Sequence, residues 1–420
     1  MSQNLDAVTS AASAAFRDEW GQIVATLIRI TGDWDLAEEC AQEAFAQALT
    51  AWARDGVPRK PGAWLTTAAR NRATDRLRRE AVGAAKLREL AAMTPVAQPD
   101  GTAYDRDDDS GVSDDRLRLI FTCCHPALPF ESRVALTLRT LAGLTTAEIA
   151  RAFLVVEQAM QQRIVRAKRK IRNAKIPYRV PPAHLLPERT SAVLGVLYLL
   201  FNEGYTATAG ADLVRHGLIA EAVRLARMLA RLMPEETEAR GLLALMLLHD
   251  ARRATRLGPD GELVLLEDQD RTRWDAEEIA EGVALLERTL AAGRPGPYQV
   301  QAAIAACHAT ARTAAETDWV QIAALYGQLA RFVPSAVVEL NRAVAVGMAD
   351  GPAAGLVLVD SLRDKGDLDG YHLLPATRAD FLRRLGRDDE AAAEYRAALE
   401  LAGTDAERRF LTSRLAEVTR

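Results

Sequence analysis

Met160, Ile164, Ala167 and Ile171 step by four and three through a stretch that is otherwise almost wholly polar. A strand would scatter these residues over both of its faces. An α-helix gathers them into one narrow buried stripe. Leu65, Ala69, Ala73 and Leu77 repeat the step of four. The chain is rich in Ala, Leu, Arg and Glu and poor in β-branched runs, so an all-α fold is expected throughout. With 420 residues it has length for two or more domains. Lys+Arg 53 against Asp+Glu 57 leaves a formal charge of -4, so any basic segment is a local feature whose meaning comes from its position. The 4 cysteines form no disulfide framework. No signal-peptide pattern opens the chain, and no apolar run approaches the roughly 18 residues of a membrane span. A cytoplasmic protein with reduced thiols and no membrane partner is expected.

Composition shifts divide the chain. A first helical block over residues 1–90 should be followed by a flexible acidic linker, 91–115, which contains PVAQPDGTAYDRDDDSGVSDD. A second helical block covers 116–176. IPYRVPPAHLLPE then supplies four prolines across a linker at 177–187. The remainder, 188–420, reads as repeated helix pairs. Pro234 and Pro334 each sit between helical patterns and lie 100 residues apart, about three units of the roughly 34-residue tetratricopeptide period. GRDDEAAAEYRAALELAGTDAERRFLTSRLAEV has the same two-helix pattern, whereas Arg253 to Arg273 breaks the period. An irregular helical bundle is the alternative.

In the second block, Thr145 and Glu148 form a Thr-x-x-Glu capping box opening a short helix through Phe153. Leu154 to Val156 make the turn, and a second helix starts near Glu157. Opposite its apolar stripe lie Gln158, Gln162, Val165 and Arg169, flanked by Gln161 and Arg166, with further cations at Arg163 and Lys168. A capped helix, a tight turn and a basic helix form the geometry that lays a helix in the major groove. Gln and Arg pair bidentately with adenine and guanine edges, and the other cations suit phosphates.

In the first block, Asp35, Glu38, Glu39, Gln42 and Glu43 make one acidic stripe, backed by Ala37, Ala41, Ala44, Phe45 and Ala48. A second helix from Pro61 to Glu80 carries Arg70, Asn71, Arg72, Asp75, Arg76, Arg78 and Arg79 around its apolar step. Taken singly, each helix is compatible with an ordinary solvated face.

Together they resemble region two of the sigma-70 family of bacterial sigma factors, extracytoplasmic-function type. The family pattern AEE-x-x-QEAF, P-x-AWL, ARN-x-x-x-D-x-x-RR is matched by LAEECAQEAF, PGAWL and ARNRATDRLRR. GLTTAEIA and QQRIVRAKRKI resemble region four. The resemblance spans about Ala12 to Lys175. It implies that Asp35, Glu38, Glu39, Gln42 and Glu43 dock on the clamp helices of the largest subunit of core RNA polymerase, with the flap region as a second polymerase partner. It implies that Arg70, Asn71, Arg72, Asp75, Arg76, Arg78 and Arg79 engage the minus-ten element of promoter DNA, with Trp64 either stacking on a base or belonging to the core. It assigns Gln158, Gln161, Gln162, Arg163, Arg166, Lys168 and Arg169 to the minus thirty-five element. Many relatives carry Arg or Ser where this chain has Gln161 and Gln162. The acidic linker would lie in the RNA exit path or act as a solvated tether.

LFNEGY and GYHLLPATRADFLRRLGR resemble the C-terminal extension of a subgroup of these factors. That implies an intramolecular contact tuning activity in cis, with Arg378, Asp380, Arg383 and Arg384 as candidate regulatory charges; a stabilising cap on the last repeat is the alternative. Cys123, Cys124 and His125 adjoin, but no second Cys pair lies at zinc spacing, so buried thiols are expected rather than a metal site. No P-loop, dinucleotide fingerprint or HExxH stretch occurs. No cofactor and no enzymatic activity are expected. The rival to a sigma factor is a stand-alone helix-turn-helix regulator with a tetratricopeptide-type interaction domain.

Overall fold

The computed structural model describes residues 2–91, 115–153, 155–206, 212–256, 258, 264–403 and 405–419, all in helices or turns with no strand among them. The expected linker up to residue 114, and Leu154 of the expected turn, lie outside these residues. The chain divides into two compact units, Met1–Val196 and Leu197–Arg420.

The first unit holds α1 (Ser2–Thr31), α2 (Trp34–Asp55), α3 (Pro61–Ala91), α4 (Asp115–Cys123), α5 (Phe130–Thr140), α6 (Thr146–Ala152) and α7 (Glu157–Asn173), and α8 (Leu186–Thr206) runs across its boundary. Asp33 caps α2: its carboxylate accepts the backbone N–H groups of Asp35 and Leu36 at 2.8 and 3.1 Å. The helix ends at Gly56, where φ is +85°. α1, α2 and α3 bury Trp20, Ile23, Leu27, Ala37, Ala41, Ala44, Trp52, Leu65, Ala69 and Ala73. The alanine stripe of α2 brings backbones close, while Phe16, Trp20 and Phe45 cluster with ring centroids 4.8 to 6.2 Å apart.

The expected capping box forms at α6. Glu148 N–H donates to Thr145 Oγ1 at 3.2 Å, and Thr145 N–H donates to the Glu148 carboxylate at 2.7 Å. α6 and α7 then make the helix-turn-helix, with Met160, Ile164, Ala167 and Ile171 buried. The two helical blocks expected as separate domains share this one unit. Gly143, at φ +76°, joins them: an added Cβ would lie 2.7 Å from Phe16. Asp115, expected at the end of a solvated linker, instead starts α4 and is buried. Arg29 donates to it at 2.9 Å and Arg118 at 2.6 Å, because a buried carboxylate needs cationic partners. The Tyr178 hydroxyl donates to the Ala25 carbonyl at 2.8 Å.

The second unit continues with α9 (Asp212–Leu232), α10 (Thr237–Asp250), α11 (Ala276–Leu290), α12 (Pro297–Thr310), α13 (Trp319–Phe332), α14 (Ala336–Ala349), α15 (Pro352–Lys365), α16 (Leu373–Arg384), α17 (Asp388–Leu401) and α18 (Asp405–Val418), sequential helices packing on one another. Pro234 and Pro334 both fall in helix-to-helix turns. α13, α15 and α17 begin at Trp319, Pro352 and Asp388, close to the ~34-residue spacing of paired-helix repeats. Between Arg253 and Arg273 the chain makes two single 3-10 turns, anchored by the Trp274 indole N–H on Thr255 Oγ1 at 2.9 Å. Leu340, Val359, Leu382 and Tyr395 share a core with Phe381, whose ring fills the space a side chain would need at Gly347 and Gly355.

Glu278 on α11 gives the second unit a pH dependence. Burial, then the carboxylates of Asp250 and Asp275, push its carboxyl up to about 7 against opposition from Arg253 and Arg227. The folded state therefore keeps a proton that the unfolded chain releases near pH 4.5, and stability should fall as pH rises from about 4.5 to about 7. Glu278→Gln should abolish that slope and stabilise the protein at pH 8 by about 1 kcal/mol, a value reduced for solvent screening at this half-exposed site. Urea unfolding at pH 5 and pH 8 checks both expectations.

Candidate nucleic-acid interface

α7 presents its open side to solvent. Gln158, Gln161, Gln162, Arg166 and Arg169 are exposed, Arg163 is half-buried, and Val165 is 57% exposed amid these polar groups. A β-branched methyl surface between Gln and Arg side chains suits a thymine methyl beside base edges in the major groove. Lys170, Arg172 and Lys175 extend the cationic face.

Lys168 differs from its expected place on that face. It is buried beside Ala167, and its Nζ lies 2.8 Å from Asp35 Oδ1 and 2.8 Å from Glu38 Oε1. Glu38 is itself buried and also accepts from Arg139 Nε at 3.1 Å. Neither Glu38 nor Lys168 is therefore open at the surface in this structure. The physical reason is the edge of the apolar stripe: a long side chain there folds its stem against the core and needs a buried anion for its head.

The other acidic residues divide. Asp35, Glu39 and Gln42 are exposed, and Glu43 is half-buried. Arg72 pairs with Glu43 at 2.7 Å and Gln47 at 3.0 Å, while Arg76 pairs with Glu39 at 2.6 Å and also with Glu43. The Arg76 hydrogen bond holds the Glu39 carboxyl below its usual range. Two residues expected to meet DNA thus pair with two expected to meet polymerase, along the seam of α2 and α3. Arg70, Asn71, Asp75, Arg78 and Arg79 stay exposed on α3. Trp64 is half-buried and meets Trp52 edge-on, ring centroids 5.8 Å apart.

Cys123 and Cys124 are buried, 3.2 Å from Thr140 Oγ1 and 3.6 Å from Thr137 Oγ1. Burial pushes the Cys124 thiol up to about 11 and Cys123 also upward, which disfavours the reactive thiolate at both. Burial, then Arg189 and Arg133, bring His125 down to about 4. In the second unit, Arg378 pairs with Asp360 and Glu394, and Arg383 and Arg384 pair with Asp380, each at 2.7 Å. Arg139, Arg29 and Tyr178 carry no motif. Glu38, Asp115 and the Ala25 carbonyl, which they respectively meet, lie 86 to 153 residues away, so no local sequence signal reveals these pairings.

Residues 16–82 match Sigma-70 region 2, and residues 118–171 match Sigma-70, region 4. The chain carries the region 2 and region 4 domains of sigma-70 factors, of extracytoplasmic-function type, in that order. The three-helix body of α1 to α3 and the helix-turn-helix of α6 and α7 are its two sigma regions, which imply binding to core RNA polymerase and promoter DNA. Sigma families are not enzymes. Residues 189–290 match a family of unknown function, DUF6596. Uncharacterized protein R00370 of Rhizobium meliloti (strain 1021) is 44% identical over 394 residues, covering 94% of this chain and 92% of the relative. The ECF RNA polymerase sigma factor SigK of Mycobacterium ulcerans (strain Agy99) is 28% identical over 153 residues, covering 36% of this chain and 79% of the relative. No described helix is long and apolar enough to cross a membrane.

Proposed function

We propose that this chain is an alternative sigma factor of the cytoplasm whose C-terminal extension tunes its activity in cis. Asp35, Glu39 and Gln42 on α2 dock on the clamp helices of core polymerase, and region four reaches the flap region. The outer face of α3, with Arg70, Asn71, Arg78 and Arg79, engages the minus-ten element. The open face of α7 reads the minus thirty-five element. The observation that carries this reading is the coexistence in one chain, in order, of a region-two match with exposed acids on α2 and a region-four match with an exposed Gln/Arg face on α7. Lys168 gives the reading an order of events, since polymerase must compete with it for Asp35.

In-vitro transcription with core polymerase tests the proposal. Asp35→Lys/Glu39→Lys should weaken holoenzyme assembly at least ~10-fold, because like charges would face a surface suited to carboxylates. Normal assembly by that variant removes the docking face. Ending the chain at Pro182, ahead of α8, should change promoter output; unchanged output removes cis tuning while leaving the sigma role in place.

A further inference from the structure

The second unit contains a cavity of about 600 Å³, bordered by the 3-10 turn at Arg271 and by α12, α13, α14, α16 and α18. That volume is in the range of small-molecule sites. Trp319, Met348, Phe381 and Phe410 supply apolar and aromatic walls. Two of its three arginines are already neutralised: Arg384 by Asp380 at 2.7 Å, and Arg414 by Glu417 at 2.8 Å.

Arg271 is not. Among the described residues no carboxylate lies within ion-pair distance of it. Its Nη1 donates to the carbonyls of His308 and Ala311 at 2.6 and 2.8 Å, and its guanidinium sits 4.7 Å over the Trp274 ring. Nη2 has Thr317 Oγ1 at 3.5 Å, a long contact. Burial, then the neighbouring Arg252, disfavour the Arg271 charge, while the Glu316 carboxylate favours it. His308 lines the same cavity, and its buried Nδ1 has no partner among the described residues. Burial, then Arg252 and Arg271, bring His308 down to about 4, so at neutral pH its ring is uncharged and offers one donor and one acceptor. The cavity carboxylates Glu267 and Asp380 face Arg384. Arg271, a half-buried cation with no ion-pair contact among the described residues, thus stands beside an imidazole whose Nδ1 is unsatisfied, a pair suited to a hydrogen-bonding anion.

We propose that this cavity binds a small amphipathic organic anion, its apolar body against Trp319, Met348, Phe381 and Phe410 and its carboxylate-type head on Arg271 with His308 beside it. The site lies wholly within the second unit and does not depend on the sigma-factor reading.

Isothermal titration of the full-length chain at pH 7.5 tests it, with octanoate, neutral octanamide, octylamine and an octapeptide bearing a free C-terminal carboxylate as probes. Octanoate should bind saturably at one site, with octanamide at least ~10-fold weaker and octylamine not binding. Ala376→Trp, which adds bulk to the cavity wall on α16, should abolish octanoate binding. Arg271→Met should weaken octanoate to the level of octanamide, with circular dichroism reporting its fold. If that variant unfolds, the probe-charge series on the unaltered chain decides the question alone. Equal binding of octanoate and octanamide overturns the anionic assignment. Retained binding in Ala376→Trp, or no binding by octanoate, overturns the site. Tight binding of the peptide without octanoate replaces the small molecule by a chain terminus.

Discussion

Lys168→Met is expected to raise amide exchange across α2 and α7 by roughly 100-fold, equivalent to about 3 kcal/mol lost from local stability. The substitution keeps the length of the side chain but withdraws a buried cation from between Asp35 and Glu38. Arg139 remains to serve Glu38 at 3.1 Å, which places the loss at the lower end for a broken buried pair. Glu38→Met/Lys168→Met should cost less than the two single changes added together, by about 1–3 kcal/mol, because neither partner is then left buried without its counter-charge. Hydrogen exchange read by mass spectrometry on the full chain provides both numbers. If Lys168→Met leaves exchange in α7 untouched and only weakens promoter binding, Lys168 is a phosphate contact and the packing of the two sigma regions against each other is not the resting state.

Arg166→Ala/Arg169→Ala should reduce initiation by about 100-fold at a promoter whose minus thirty-five element is recognised. Each base-reading pair contributes ~1–3 kcal/mol. Both side chains are exposed, so folding stability should stay within about 0.5 kcal/mol. If one of them neutralises a phosphate instead, its removal should shrink the salt slope of promoter binding by about 0.9. A promoter stripped of its minus thirty-five element serves as the reference, since there the double variant should match the parent. An undiminished rate at the intact promoter would remove the open face of α7 from DNA reading.

The two substitutions separate residues that sequence inspection groups together. Arg166, Lys168 and Arg169 stand in one basic run, and helical periodicity alone leaves Lys168 at the edge of the buried stripe. Periodicity reports which side of a helix faces a core. It does not report which partner covers the flank, because that depends on where a second helix crosses. The Thr145–Glu148 box, by contrast, is fully legible: its hydrogen bonds close within three residues. The same holds for the alanine stripe of α2 and the 160–171 stripe of α7, where burial follows from local spacing. Asp115 reads as linker for the reason that conceals Lys168. Acids clustered after Pro and Gly predict solvation, and nothing nearby in the chain announces that Arg29 lies against this one.

Local interactions therefore set what the amino-acid order determined unaided: helices, caps, the helix-turn-helix and the two sigma signatures all depend on residues within a few positions of one another. Only the tertiary structure decided which charges remain open to a partner and which are consumed internally. Glu38 with Lys168, Arg72 with Glu43, Asp115 with Arg29 and Arg271 with the His308 carbonyl are pairings between distant segments. Coulomb attraction and desolvation act on separation in space, and separation along the chain does not encode it.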